Sequence, residues 1–168
     1  KDFGDLTAGR NDLRGVCASP VRGLVFGGVN PSATVDIDMI TIPTLGNATK
    51  FGEIAHSTQE RGMGCSNSIR GLIAGGQTPT TTAFIESVII ATQSDTARFG
   101  DLQATNVNAG ANAATTSPTR AVFSGGQAPS DTNMMQYIEI ATGGTTSDFG
   151  DLVRAQRGGG ATSNGHGG

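Results

Sequence analysis

Apolar and polar residues alternate along several short stretches of this chain. "VDIDMITI" (35–42) puts Val35, Ile37 and Met39 on one side and Asp36, Asp38 and Ile40 on the other, which is the two-residue period of a strand. "YIEIAT" (137–142) alternates in the same way, and "FIESVIIAT" (84–92) is β-branched and strand-like. "RGLIAGG" (70–76) is a short apolar run closed by two glycines, as a strand entering a tight turn would be. "RFGDLQA" (98–104) reads as another short strand, and "RGMGCSNS" (61–68) is a fourth kind of segment, built from small side chains. Helical periodicity is absent, as are runs of strong helix formers. The pattern predicts an all-β chain of short strands.

These stretches recur in phase. "FGDL" occurs at 3–6, 99–102 and 149–152, with "FGEI" at 51–54. Phe3, Phe51 and Phe99 are 48 residues apart and Phe149 follows 50 later. The doublets Gly27-Gly28, Gly75-Gly76 and Gly125-Gly126 keep step. So do Arg22, Arg70 and Arg120, then Pro31, Pro79 and Pro129, then Ile42, Ile90 and Ile140. Each unit is thus predicted to hold four strands in about 48 residues, the size of one propeller blade. The divisions are 1–9 (outer strand of a preceding blade), 10–54, 55–102 and 103–152 (three blades), and 153–168 (the start of a further blade, or a flexible tail). A β-solenoid or a trimeric β-prism fibre is the alternative.

Within a blade the small-residue segment suits the crowded innermost position: Gly62, Gly64, Cys65, Ser66 and Ser68 in one unit, and Ala111, Ala113 and Ala114 in the next. The Gly-Gly pair would end the second strand, because positive φ is easy for glycine. The Phe of "FGDL" would pack between neighbouring blades, and its Gly would admit another backbone. An Arg at strand one, Gly-Gly closing strand two and an aromatic at strand four together resemble the kelch repeat, with Phe where that family usually has Trp. The wording also resembles kelch-like repeats of tailed, especially marine, bacteriophage virion and tail-fibre proteins. The resemblance implies a propeller in a virion structural or adhesion protein. Three blades are too few for a ring, since propellers have about 4–8. Either further repeats lie outside this stretch, in a longer or processed chain, or several chains complete the structure as a homo-oligomer.

Composition narrows the chemistry. The net charge of −3 over 168 residues gives no footprint for nucleic acid and no basic membrane patch. No apolar run approaches ~20 residues, so no membrane insertion is expected, and no stretch reads as a signal peptide. Motifs for a nucleophile, a P-loop or a zinc protease are absent. His56 and His166 are the only histidines, and no Cys/His spacing suggests a metal. The kelch-superfamily oxidases use a copper site of Tyr, His and Cys, a set that the single Tyr137 does not assemble. Asn47-Ala48-Thr49 fits a glycosylation acceptor only as a short pattern. Neither catalytic residues nor a cofactor are expected.

The acids Asp5, Glu53, Asp101 and Asp151 recur in every unit. They would either form a ring of carboxylates for cations or sugars, or order a turn or pair with Arg22, Arg70 or Arg120 of the same unit. Because a residue repeated in every unit usually serves the unit, the structural role is expected. Cys17 and Cys65 are phased with each other, and packed sheets ~10 Å apart keep a disulfide out of reach, so two free buried thiols are expected. Recognition is expected at the polar, non-repeating loops between strands two and three: Asn30 and Ser32; Gln77 and Thr80; Gln127, Ser130 and Asn133. Their hydroxyl and amide groups suit sugars or polar surfaces. The expected function is a non-enzymatic virion module that displays these loops to a host-surface glycan or to other virion proteins. A secreted or cell-surface bacterial propeller that binds or acts on carbohydrate is the alternative, and an intracellular kelch scaffold ranks last.

Overall fold

The computed structural model describes residues 1–56, 61–77, 81–103, 113–127 and 130–163. All regular structure in them is strand. The strands are β1 (Gly15–Ala18), β2 (Arg22–Phe26), β3 (Asp36–Thr41), β4 (Thr49–Glu53), β5 (Met63–Ser66), β6 (Arg70–Ala74), β7 (Phe84–Ile89), β8 (Ala97–Asp101), β9 (Ala113–Thr116), β10 (Arg120–Ser124), β11 (Met134–Glu139), β12 (Gly144–Thr145) and β13 (Ser147–Asp151). They form three antiparallel sheets in sequence order, β1-β2-β3-β4, β5-β6-β7-β8 and β9-β10-β11-β13, with the short β12 added parallel to the edge strand β8 of the second sheet. None of the three closes into a barrel.

Each sheet is made by the same local bonds. Both glycines of every doublet take positive φ, 59° and 112° in the first unit. The chain then returns through Gly27 N–H to Asp36 O, Gly75 N–H to Phe84 O and Gly125 N–H to Met134 O. Thr34, Thr82 and Thr132 brace this return, each hydroxyl accepting the N–H two residues on. The turns between the first two strands are capped by Ser19, Asn67 and Ser117, which accept the N–H of Arg22, Arg70 and Arg120. The third strand shifts register at one point in every unit, after Ile37, Ile85 and Met135.

The apolar cores lie between the sheets. One cluster joins Cys17, Leu24, Phe26, Ile37, Phe51 and Ile54 of the first unit to Ile73, Val88 and Ile90 of the second. The other joins Cys65, Leu72, Ala74, Ile85 and Leu102 of the second unit to Phe123, Ile138 and Ile140 of the third. Apart from Phe51, whose counterpart Phe99 is only partly buried, the positions named in the first cluster recur in the second shifted by one repeat. At two of these positions size is exchanged across the junction: Phe26 shares its cluster with Ile73, whereas Ala74 shares its cluster with Phe123. Full burial of such a side chain stabilises by about 1.5–3 kcal/mol, so each junction supplies much of the stability of the sheets it joins.

The first strands of neighbouring units touch backbone to backbone. A Cβ on Gly64 would stand 2.3 Å from Val16 O, and one on Gly62 would stand 2.7 Å from Arg14 O. Small residues are required here by contact, and a hydroxyl column crosses the strands. Ser66 Oγ donates to Ala18 O, and Thr116 Oγ1 donates to Ser66 O. Ala111 lies outside the described residues.

Two expectations need correction. Residues 3–7 form no regular strand: Phe3 O and Asp5 O accept from Gly46 and Ala48 N–H, and Thr7 N–H donates to Asp38. Residues 153–163 likewise form no strand. They lie along β9 instead, with Thr162 O accepting from Thr115 Oγ1 and Gly159 against Ala113.

The glycine of the "FG" pair sets the spacing of the units. A Cβ on Gly52 would meet Ser94 O at 2.1 Å, and one on Gly100 would meet Gly144 O at 1.8 Å. Gly23, inside β2, has its nearest such atom at 3.9 Å. Gly100→Ala is therefore expected to destabilise the chain by about 2–4 kcal/mol, the range of a forced backbone shift and lost junction packing. Gly23→Ala should stay within about 1 kcal/mol. Urea denaturation of the two variants checks this, and equal midpoints would contradict it.

Candidate functional site: the junctions and the loop tips

Buried polar chemistry in this protein concentrates where one unit meets the next. Asp38, Glu86 and Gln136 occupy the same position of the third strand and are exposed by only 0%, 0% and 1%. Each is met by the chain just after the preceding "FG-acid-aliphatic" motif. Thr7 N–H donates to Asp38 Oδ2 (2.9 Å), His56 N–H to Glu86 Oε1 (3.2 Å) and Gln103 N–H to Gln136 Oε1 (2.7 Å). A hydroxyl completes each clasp. Thr96 Oγ1 donates to Glu86 and Thr146 Oγ1 to Gln136. The phased residue in the first unit is Ala48, which has no hydroxyl; there Thr7 Oγ1 donates to Asp38 Oδ1 at 2.7 Å instead. The hydroxyl has moved to the other side of the junction and the hydrogen bond is kept.

Charge at this position follows the cations available. Asp38 Oδ2 lies 2.6 Å from Arg10 Nη2, an ion pair rather than an aligned hydrogen bond, and Arg10 Nε finds no partner. Glu86 receives the fully buried Arg14 of the preceding unit, whose Nε also donates to Gly75 O (3.2 Å). Burial alone would push the Glu86 carboxyl up. The Arg14 charge and hydrogen bonds from Thr96, Arg14 and His56 outweigh it and hold the carboxyl below its ordinary range. Burial likewise lowers the Arg14 guanidinium, and Glu86 restores part of that. The residue phased with Arg14 in the second unit is Gly62, which carries no charge. An amide, Gln136, stands in the third unit where a carboxylate would lack that partner.

The motif residues themselves are distributed as follows. Phe51 is buried in the first core, Phe99 is partly buried against the second, and Phe3 and Phe149 are 40% and 49% exposed at the two ends. The backbone of the motif does the joining. Phe3 O and Asp5 O accept from Gly46 and Ala48 N–H, Glu53 O from Thr96 N–H, and Asp101 O from Thr146 N–H. The acids do not pair with the repeated arginines, which was one of the two structural roles expected of them. Glu53 is bound by Lys50 at 2.6 Å and Asp101 by Arg98 at 2.6 Å, both short-range exposed pairs. Hydrogen bonding from Glu53 and Asp36 raises the Lys50 ammonium, and Lys50 in turn lowers the Asp36 carboxyl. Arg22 instead reaches into the second unit to Ile90 O and Ala91 O, Arg70 bonds Ser87 and lies over the Phe99 ring, and Arg120 binds Glu139 over the Tyr137 ring.

The loop residues singled out in the sequence are solvent-facing only in part. Asn30, Ser32 and Ser130 are exposed, Gln77, Gln127 and Asn133 are half-buried, and Thr80 lies outside the described residues. Asn30 Nδ2 donates to Gly9 O, and Asn133 O accepts from Leu152 N–H. Asn30 and Pro31 line a cavity of about 340 Å³ with Arg10, Asn11 and Val29. A second cavity, about 420 Å³, follows the inner strands past Cys17, Ala18, Cys65, Ser66 and Thr115. Both thiols are free. Burial pushes the Cys65 thiol up to about 12 and the Cys17 thiol higher still, so neither is a thiolate at neutral pH. Among the described residues no three His, Cys, Asp or Glu side chains gather as a metal site, and no helix is long and apolar enough to cross a membrane. His166 lies outside the described residues. The chain matches no protein-family model, and no curated protein matches it.

The buried acid–amide series was absent from the sequence reading, although the phase of Asp38, Glu86 and Gln136 carried it. A repeat search weighted toward identical letters passes over a position that changes letter while keeping an acceptor oxygen.

Two substitutions test the charge logic. Glu86→Gln should cost about 3–5 kcal/mol, the loss expected when a buried cation is left uncompensated. Because Glu86 is held low when folded, its contribution is present above the unfolded value of about 4.3 and lost as pH falls through the folded one. Gln136→Glu places a carboxyl without a cation, so its folded value rises above the unfolded one. Stability is then lost as pH increases past about 4.3, and the variant should be closest to wild type in acid. Thermal melts of both variants and the wild type between pH 3.5 and 7 separate the two by window: the deficit of Glu86→Gln should be fully open by about pH 4.3 and that of Gln136→Glu should open only above it, and deficits that open over the same pH range would refute the assignment.

Proposed function

We propose that this chain is a non-enzymatic structural or adhesion module of a tailed-bacteriophage virion, a fibre or other appendage protein, whose units are kelch-like propeller blades displaying polar loops to a host surface. The observation that carries this reading is how the polar groups are used. The recurring Thr34, Thr82 and Thr132 brace turns, the recurring Asp38, Glu86 and Gln136 clasp neighbouring units, and the thiols are buried and neutral. At the tips of the loops between the second and third strands, Asn30, Ser32 and Ser130 are exposed, and Asn30 also donates to Gly9 O. In this reading those tips meet glycan or a neighbouring virion protein. The wording of the repeats supports the phage assignment.

A glycan array probed with the purified chain tests recognition. Specific binding is expected, and the combined substitution of Asn30, Ser32, Gln127 and Ser130 by Ala should abolish it while leaving the melting temperature within a few degrees of wild type. Binding that survives the substitution, or polysaccharide cleavage by the purified chain, would overturn this reading, and cleavage would favour a bacterial glycan-acting propeller.

A further inference from the structure

The lead into β1 and the loop after β2 enclose a cavity of about 340 Å³, lined by Arg10, Asn11, Val29, Asn30 and Pro31. All five residues belong to the first unit, and backbone bonds hold them together. Asn11 N–H donates to Val29 O (3.1 Å), Val29 N–H donates to Asn11 O (2.9 Å), and Asn30 Nδ2 donates to Gly9 O. Asn11, Asn30 and Pro31 are exposed and Val29 is half-buried, whereas the Arg10 side chain is only 2% exposed. Arg10 is the member with unused chemistry. Its Nη2 lies against Asp38, yet neither Nη2 nor Nε has an aligned hydrogen-bond acceptor. A buried donor left so costs about 1–3 kcal/mol, and native proteins normally supply it with a partner. The lining also breaks the repeat. Arg10 is in phase with Thr58, Val29 with Gln77 and Gln127, and Asn30 with Thr78 and Ala128. Residues that serve the fold recur in every unit, as the glycine doublets do; these do not.

We propose that this cavity binds the acetamido group of an N-acetylated sugar. The proposal rests on the glycan-binding reading above and names its ligand class. The amide carbonyl accepts from Arg10 Nε–H, the group that lacks an acceptor. The methyl group packs on Val29 and Pro31. The amide N–H donates to a side-chain oxygen of Asn11 or Asn30; Asn30 has committed Nδ2 to Gly9 O, and its Oδ1 is an acceptor. A carboxylate ligand fits less well. Arg10 is already neutralised by Asp38, whose fully buried oxygen lies 2.6 Å from Nη2, and a second carboxylate would meet that like charge in a poorly solvated place. A neutral carbonyl oxygen satisfies Nε without this repulsion.

The test titrates the full, isotope-labelled chain with N-acetylglucosamine, N-acetylgalactosamine, glucose, galactose and glucuronate, followed by amide chemical shifts. The two N-acetylated sugars should give saturable shifts at the cavity residues, with the roughly millimolar affinity of a small ligand. The other three should bind at least about tenfold more weakly, because they leave Nε unpaired. Arg10→Lys keeps a cation for Asp38 but removes the Nε donor. It should melt within a few degrees of wild type and lose binding by a similar factor. Val29→Gln installs the residue that the third unit carries on the same backbone bridge. It should fold and erase the preference for N-acetylated over free sugars. Equal binding of all five sugars, tighter binding of glucuronate, no saturable shift with either N-acetylated sugar, or binding unchanged in both variants overturns the proposal. Should Arg10→Lys fail to fold, Val29→Gln decides alone. The glycan array fails separately. Array hits confined to glycans without N-acetyl groups overturn the cavity assignment and leave the display reading standing. An array without hits overturns the display reading, while the titration still reads the cavity.

Discussion

A four-stranded sheet with apolar residues on both faces cannot cover itself, and everything else in this protein answers that constraint. Leu24 and Val25 are adjacent and therefore point to opposite sides of the first sheet, as Leu72 and Ile73 do in the second. Leu72 faces the third unit while Ile73 faces the first. The sheets must be stacked, and the packing between them is the hydrophobic core.

Stacking creates a second demand. The segment after each "FG-acid-aliphatic" motif leaves its own sheet and passes beside the next, bringing a backbone N–H against that sheet's buried third-strand side chain. A single acceptor on the third strand receives it in every unit. Its identity is free to vary among Asp, Glu and Gln because what the seam requires is an oxygen, and the charge is then settled by whether Arg10, Arg14 or nothing stands opposite. The same economy explains Thr7: the seam needs a hydroxyl but does not fix which chain segment supplies it.

Most of the architecture was legible in the sequence because it is written in identical letters. The Gly-Gly doublets mark the turns at positive φ, the alternation around Ile37 marks the third strand, and the small residues around Gly64 mark the first strand of their sheet. What escaped was written in equivalents. Asp38, Glu86 and Gln136 share geometry but no letter, and Ala48 breaks the Thr96–Thr146 series only because Thr7 compensates. Partner choice was also invisible. Arg22 lies in phase with Arg70 and Arg120, yet it crosses to the second unit while the others bind within their own, since side-chain reach and nearby competition decide such pairs.

The exchange of bulk between Phe26 with Ile73 and Ala74 with Phe123 has a consequence for how such arrays diversify. Although the units look alike, they are not interchangeable parts. Transposing the second and third would bring Phe26 up to Phe123 in one seam and set Ser124 against Ile73 in the other. Serial order is thus recorded in the steric fit of neighbours, and a duplicated unit would have to drift together with the one it touches.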